Sequence, residues 1–150
     1  MGRGVPVVEM TVSKPTHVGA LVYRLRSGRP EFLLITSRRS GRWIIPKGRR
    51  EQHEAPHVAV AREAFEEAGI QGVVGTKRIG SYRDRPVYGN QATVSLYPLL
   101  AARQGKSWPE KGLRKMMWAP APTAAENLPR TLAKLVESFA SELNQKRSGK

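Results

Sequence analysis

The alternation of apolar and polar positions becomes regular only after residue 14; residues 1–14 show no period and are expected to form a loose arm. Residues 17–24 (HVGALVYR) and 31–37 (EFLLITS) are short β-rich runs. The turn-forming Ser27-Gly28-Arg29-Pro30 lies between them, which predicts a hairpin. Trp43-Ile44-Ile45 is a brief apolar run closed by Pro46, and the Gly48 region reads as loop. Over residues 55–68 the period turns helical, with Val58, Ala61, Phe65 and Ala68 forming the expected apolar stripe. Pro56 suits the first turn, where no backbone N–H is required, and Gly69 suits the left-handed residue that ends a helix. Residues 72–82 and 91–100 read as strands around a polar turn at 83–90, and 113–118 as one more. A last helix over about 129–145 puts Leu132, Leu135, Val136, Phe139 and Leu143 on one face, and residues 146–150 are expected to fray.

Strands, a central helix, strands and a closing helix predict an α+β fold. At 150 residues the chain reads as one domain over 1–150, with 1–14 and 146–150 as loose tails. No apolar run approaches the roughly 20 residues that span a bilayer, and MGRGVPVVEM lacks a signal-peptide core, so no membrane partner and a cytoplasmic location are expected. With no cysteine, any metal must be held by oxygen or histidine ligands, which favours hard cations.

Charge changes the picture most. The net charge is +14, yet residues 51–70 carry −4 while 1–50 carry +9 and 71–125 carry +7. An anionic partner is implied, and an acidic island inside a basic chain suits an enzyme that handles phosphates through a divalent cation. Excess Lys and Arg could also serve solubility alone. On the 55–68 helix, about 100° per residue groups Glu63, Glu66 and Glu67 roughly opposite the stripe, so an exposed acidic face is expected. Like charges at these spacings cost a helix a few tenths of a kcal/mol per pair. Either solvated Lys and Arg partners or a divalent cation would offset that.

Residues 48–70 read GRREQHEAPHVAVAREAFEEAGI. This resembles a complete Nudix box: Gly, five residues, Glu, seven residues, Arg-Glu, an apolar residue, any residue, Glu-Glu, any residue, Gly, an apolar residue. Gly48, Glu54, Arg62, Glu63, Ala64, Glu66, Glu67, Gly69 and Ile70 fill its specified places. The resemblance implies an α/β/α sandwich with a central mixed sheet, a loop–helix–loop at the box, and bound Mg²⁺ or Mn²⁺. It makes Glu63 and Glu67 metal ligands with the backbone carbonyl of Lys47, and Glu66 a further ligand or the base that deprotonates water. Glu110 is a reserve base. Arg62 and Glu54 would orient Glu63, with Gly48 and Gly69 as the glycines of the box. His17, His53 and His57 are not expected to bind metal.

The basic segment before the box, with Arg38, Arg39, Arg42 and Lys47, ends in Trp43-Ile44-Ile45-Pro46-Lys47-Gly48. It is similar to the WxxPKG segment of the diphosphoinositol polyphosphate and diadenosine polyphosphate hydrolases of that family, and residues 110–118 resemble that branch's basic strand. This branch resemblance implies that Arg38, Arg39, Lys47, Arg83, Arg85, Arg114 and Lys115 grip substrate phosphates, while Trp43 either packs or stacks on a base. One departure is Lys14-Pro15-Thr16-His17, where the branch carries a basic cluster. The expected activity is metal-dependent hydrolysis of a diphosphate linkage, by water attack at phosphorus, in a small anionic polyphosphate: a diadenosine or diphosphoinositol polyphosphate. RNA 5′-pyrophosphate or nucleotide-sugar hydrolysis is the alternative within the family. A non-enzymatic phosphate- or RNA-binding protein on the same fold is the alternative outside it.

Overall fold

A computed structural model describes residues 14–84 and 91–148. The chain runs β1 (His17–Arg26), β2 (Arg29–Thr36), β3 (Trp43–Ile44), β4 (Lys47–Arg49), α1 (Pro56–Ala68), β5 (Ile70–Val74), β6 (Gly80–Asp84), β7 (Ala92–Gln104), β8 (Met116–Pro120), α2 (Ala121–Asn127) and α3 (Arg130–Ser148). The strands form a mixed sheet with the order β3-β2-β1-β7-β5, to which β4 adds beside β1, β6 beside β7 and β8 beside β2. β1 and β7 run parallel, and the other pairs are antiparallel. Period-two alternation along β1 and β2 splits the core. Val18, Ala20, Val22, Leu33 and Ile35 pack on the α1 side, while Leu21, Phe32 and Leu34 pack on the α3 side with Leu132 and Val136. The result is the expected α/β/α sandwich. The β1–β2 hairpin turns on Ser27 and Gly28, both at positive φ, and α3 buries the face predicted for it.

Several boundaries differ from the sequence expectation for identifiable reasons. Residues 72–82 form two strands, β5 and β6, which meet β7 on either side of Tyr97-Pro98. Pro98 has no N–H to offer a neighbouring strand, so the ladder breaks there, and Gly75 and Ile79 carry the connection by donating to Pro98 O and Leu96 O. The Gly48 region is a strand: β2 pairs with β1 only from Tyr23 onward, and β4 takes the edge left at His17–Gly19. The strand expected at 113–118 is β8, followed by the short α2 with Pro122 in its first turn. α3 extends to Ser148, the last described residue. The arm 1–13, the turn at 85–90 and with it Arg85 lie outside the described residues.

The largest correction concerns the rotation of α1. Its buried face is Ala59, Val60, Glu63, Ala64, Glu67 and Ala68, whereas Val58 is 47% exposed, Ala61 is exposed and Phe65 is half-buried. Glu63 and Glu67 therefore do not share an exposed face; they point into the sandwich, with relative exposures of 8% and 6%. Small alanines let the helix sit close to the sheet and bring the carboxylates within reach of β4. Burying two charged groups costs far more than exposing one valine, so a specific environment must accept them.

Candidate active site

That environment is assembled from β4, the loop before α1 and α1 itself. Gly48 is paired with Val18 on the α1 side, and a Cβ there would overlap the Glu63 carboxylate; only glycine leaves the room that Glu63 occupies. The neighbouring Lys47 N–H donates to Glu67 Oε1 at 3.2 Å. Glu63 and Glu67, one turn apart, lie close enough for their carboxyl groups to interact directly. Glu66 stands at the rim, its side chain 40% exposed and 3.5 Å from Arg62 Nη1.

Arg62 ties these parts together. Its Nε and Nη2 donate to the two oxygens of Glu54 at 2.7 and 2.9 Å, and its Nη1 donates to Glu63 Oε2 at 3.0 Å. Nη2 also reaches Arg49 O, so one guanidinium joins loop, strand and helix. Glu54 additionally accepts the Glu51 N–H at 2.8 Å. The Arg62 hydrogen bonds hold the Glu54 carboxyl down at about 2 and raise the guanidinium further. Glu54 and Arg62 are thus locked in their charged forms, and one oxygen of Glu63 is oriented.

Glu67 is the opposite case. Burial pushes its pKa well above the ordinary carboxylate range and the adjacent Glu63 pushes it further, while Arg114 and the Lys47 N–H pull it back. Two buried carboxylates facing each other require a proton or a cation between them. Among the described residues no three His, Asp or Glu side chains stand together as a ready-made metal cage. The donor set nevertheless fits a hard divalent cation, which takes carboxylate oxygens and commonly needs only one or two from protein. Tyr82, on β6, lies close enough for the charges of Asp84 and Glu67 to raise its pKa beyond the dominant effect of burial. Its buried hydroxyl has no hydrogen-bond partner among the described residues.

The C-terminal end of α1 is covered by the segment after β7. Gly69, left-handed at φ 72°, sits under the ring of Trp108, where any Cβ would clash. Gln104 Nε2, Gly105 N–H and Glu110 N–H donate to the carbonyls of Ala68, Gly69 and Glu66 at 2.9, 2.8 and 3.0 Å.

The cationic residues named from sequence fall into two groups. Arg38, Arg39, Arg83 and Lys115 are exposed; Arg38 and Arg39 lie on the turn after β2, and Arg83 Nε donates to Gln91. Lys47 and Arg114 are engaged within the protein. Lys47 Nζ pairs with Asp84 at 3.0 Å. Arg114, its side chain 10% exposed, pairs with Glu110 at 2.9 Å and donates to Thr36 O at 3.0 Å. Glu110, the reserve base, is therefore occupied by Arg114. His53 and His57 are exposed on the box loop and at the start of α1, and His17 lies at the start of β1 near Lys47, Arg49 and Asp84. Trp43 is half-buried against the α3-side core. Asp84 and Thr36 were missed from sequence; neither stands in a motif, and only the sheet register brings them to the site.

The family model for the NUDIX domain matches residues 15–139. Nudix hydrolase 17, mitochondrial, of Arabidopsis thaliana is 30% identical over 149 residues, covering 89% of this chain and 80% of that protein. Nudix hydrolase 21, chloroplastic, of the same plant is 32% identical over 117 residues, and the chain spans only 57% of its length. Diphosphoinositol polyphosphate phosphohydrolase 3-beta of Bos taurus is 50% identical, but over 46 residues, 30% of this chain and 28% of that protein. Among solved structures, a C. elegans Ap4A hydrolase in a binary complex superposes with a TM-score of 0.70 at 23% identity, covering 87% of this chain and 98% of its own. The MutT protein from Methanosarcina mazei Go1 gives 0.65 at 25% identity, covering 88% and 98%. With the box residues assembled around Arg62 and the fold shared over nearly the whole described chain, the protein belongs to the Nudix hydrolase family, enzymes that act on phosphoanhydride bonds.

Proposed function

We propose that this chain hydrolyses a diphosphate linkage in a long, strongly anionic substrate, a diadenosine polyphosphate or a diphosphoinositol polyphosphate, with Mg²⁺ or Mn²⁺ held by Glu63, Glu66, Glu67 and the Lys47 carbonyl. The observation that carries this reading is the buried pair Glu63 and Glu67, with the Glu63 carboxylate in the room that the missing side chain of Gly48 leaves. The family membership, the similarity to a diphosphoinositol polyphosphate phosphohydrolase and to an Ap4A hydrolase, and the net charge of +14 support the substrate class.

When bound, the divalent cation makes water nucleophilic near neutral pH and neutralises charge gathering on phosphate. Water oxygen forms the new bond to phosphorus as the bond to the bridging oxygen breaks, and the departing phosphate takes that electron pair. Glu66, the rim carboxylate of the set with access to solvent, accepts the proton from the attacking water where it does not itself ligate the cation. Arg62 acts through Glu63, fixing one oxygen and leaving the other for the cation. The exposed Arg38, Arg39, Arg83 and Lys115 contact phosphates beyond the scissile one, a use that suits the planar arginine fork.

A panel of diadenosine polyphosphates, inositol pyrophosphates, nucleoside diphosphate sugars and triphosphorylated RNA, each with Mg²⁺ and with Mn²⁺, tests the reading by product identification. Cleavage of the first two classes with activity abolished by chelator is expected. Selective pyrophosphate release from RNA would replace the small-substrate reading.

A further inference from the structure

The resemblance to phosphate-gripping relatives assigns Arg114 to substrate, but its surroundings argue for a different task. Nε and Nη2 both face one oxygen of Glu110 at 2.9 Å, and Nη1 donates to the backbone carbonyl of Thr36 at the end of β2 at 3.0 Å. Thr36 is buried and is bound again by the next residue. Its Oγ1 accepts the Lys115 N–H at 2.9 Å, and its own N–H donates to Lys115 O at 3.1 Å. Glu110, in turn, is the residue whose N–H caps the Glu66 carbonyl. Together with Gln104 on Ala68, Gly105 on Gly69 and Trp108 on the left-handed Gly69, these contacts make residues 104–114 a strap over the last turn of α1, where carbonyls have no partner within the helix. The last turn is also where Glu66 and Glu67 reside. Three of the five N–H donors of this guanidinium are committed inside the protein and its side chain is 10% exposed, so it is poorly disposed to hold a phosphate.

We propose that Arg114, through Glu110 and Thr36, is a positioning residue that locks the 104–114 strap to β2 and so holds Glu66 and Glu67 in register with β4. The inference rests on the reading of those glutamates as cation ligands. Its consequence is that Arg114 acts alike on every substrate, whereas chain-length preference belongs to the exposed arginines.

The test uses Arg114→Lys, which keeps the charge but cannot span Glu110 and Thr36 together, and Glu110→Gln, which keeps the shape but removes the ion pair. Mn²⁺ affinity is measured calorimetrically on both, and hydrogen exchange is followed at the Gly105 and Glu110 amides, which needs no metal. Both variants are expected to weaken Mn²⁺ binding about tenfold, within the range for groups that orient metal ligands. Both should speed exchange at the two amides and lower kcat with KM unchanged for short and long substrates alike. The proposal is overturned if Arg114→Lys instead raises KM more for longer phosphate chains while Mn²⁺ affinity, amide exchange and the Glu110→Gln variant stay at wild-type values. Accelerated exchange in both variants, in a protein whose wild type binds no Mn²⁺, would support the strap and remove the metal reading in its place.

Discussion

The buried face of α1 and the basic rim around it are built on opposite terms. On α1 nearly every charge has a designated partner: Arg62 spans Glu54 and Glu63, and Glu67 accepts from the Lys47 backbone. On the rim, Arg38, Arg39, Arg83 and Lys115 have exposed side chains on a turn and at strand ends, with Arg83 donating to Gln91. A partnered, desolvated group has one geometry and a large energetic stake in keeping it, which suits bond breaking. Exposed cations contribute little to the stability of the fold and are screened by salt, yet they can follow substrates of different length. Chemistry and selectivity are therefore separable in this molecule, and substitutions in the two regions should fail in different ways.

The strongest separation is expected from Glu63→Gln and Glu67→Gln. Each should lower kcat about a hundredfold or more with the fold retained, because the amide removes the charge a cation needs. Circular dichroism beside steady-state kinetics checks this, and activity within threefold of wild type in both variants would remove these residues from the metal site. Gly48→Ala should come next. Its methyl group displaces the Glu63 carboxylate, and a loss of about tenfold to a hundredfold in kcat is expected with only slight loss of stability. Wild-type kinetics in this variant would mean that Glu63 has freedom the packing denies it. On the rim, Arg38→Ala combined with Arg39→Ala should leave kcat on the shortest substrate nearly unchanged while reducing kcat/KM on the longest. Each partly desolvated arginine–phosphate bond is worth about 1.5–3 kcal/mol. Equal loss on short and long members of one diadenosine polyphosphate series would show that the turn does not sense chain length.

Much of this division was legible in the sequence. The box is local: helical spacing groups Glu63, Glu66 and Glu67, and the family resemblance associates Arg62 and Glu54 with Glu63. Pro56 and Gly69 bracketed the helix because each has a backbone reason to be there. What failed was the direction of the face. Val58 and Phe65 outweigh alanines on a hydrophobicity count, but α1 approaches the sheet through Ala59, Ala64 and Ala68, and close approach is what lets Glu63 and Glu67 reach β4. A helix that buries function inverts the pattern from which burial is read. Long-range pairings were equally invisible: Asp84 meets Lys47, and Arg114 meets Thr36, across separations that no local spacing encodes. Those two pairings engage, within the protein, side chains that the branch resemblance assigns to substrate phosphates.

The central claim, that the buried Glu63–Glu67 pair holds a divalent cation, is tested most directly by the melting temperature of wild type and Glu67→Gln with and without Mg²⁺ at pH 6 and pH 8. Glu67 has a folded-state pKa raised above its ordinary 4.5, so the metal-free protein binds more protons folded than unfolded and loses stability as pH rises through that window. A cation that takes the proton's place should restore what is lost. The account predicts that wild type is less stable at pH 8 than at pH 6 without metal, gains more from Mg²⁺ at pH 8, and that Glu67→Gln shows neither the slope nor the gain. An equal Mg²⁺ gain in both proteins, or none in either, would contradict it.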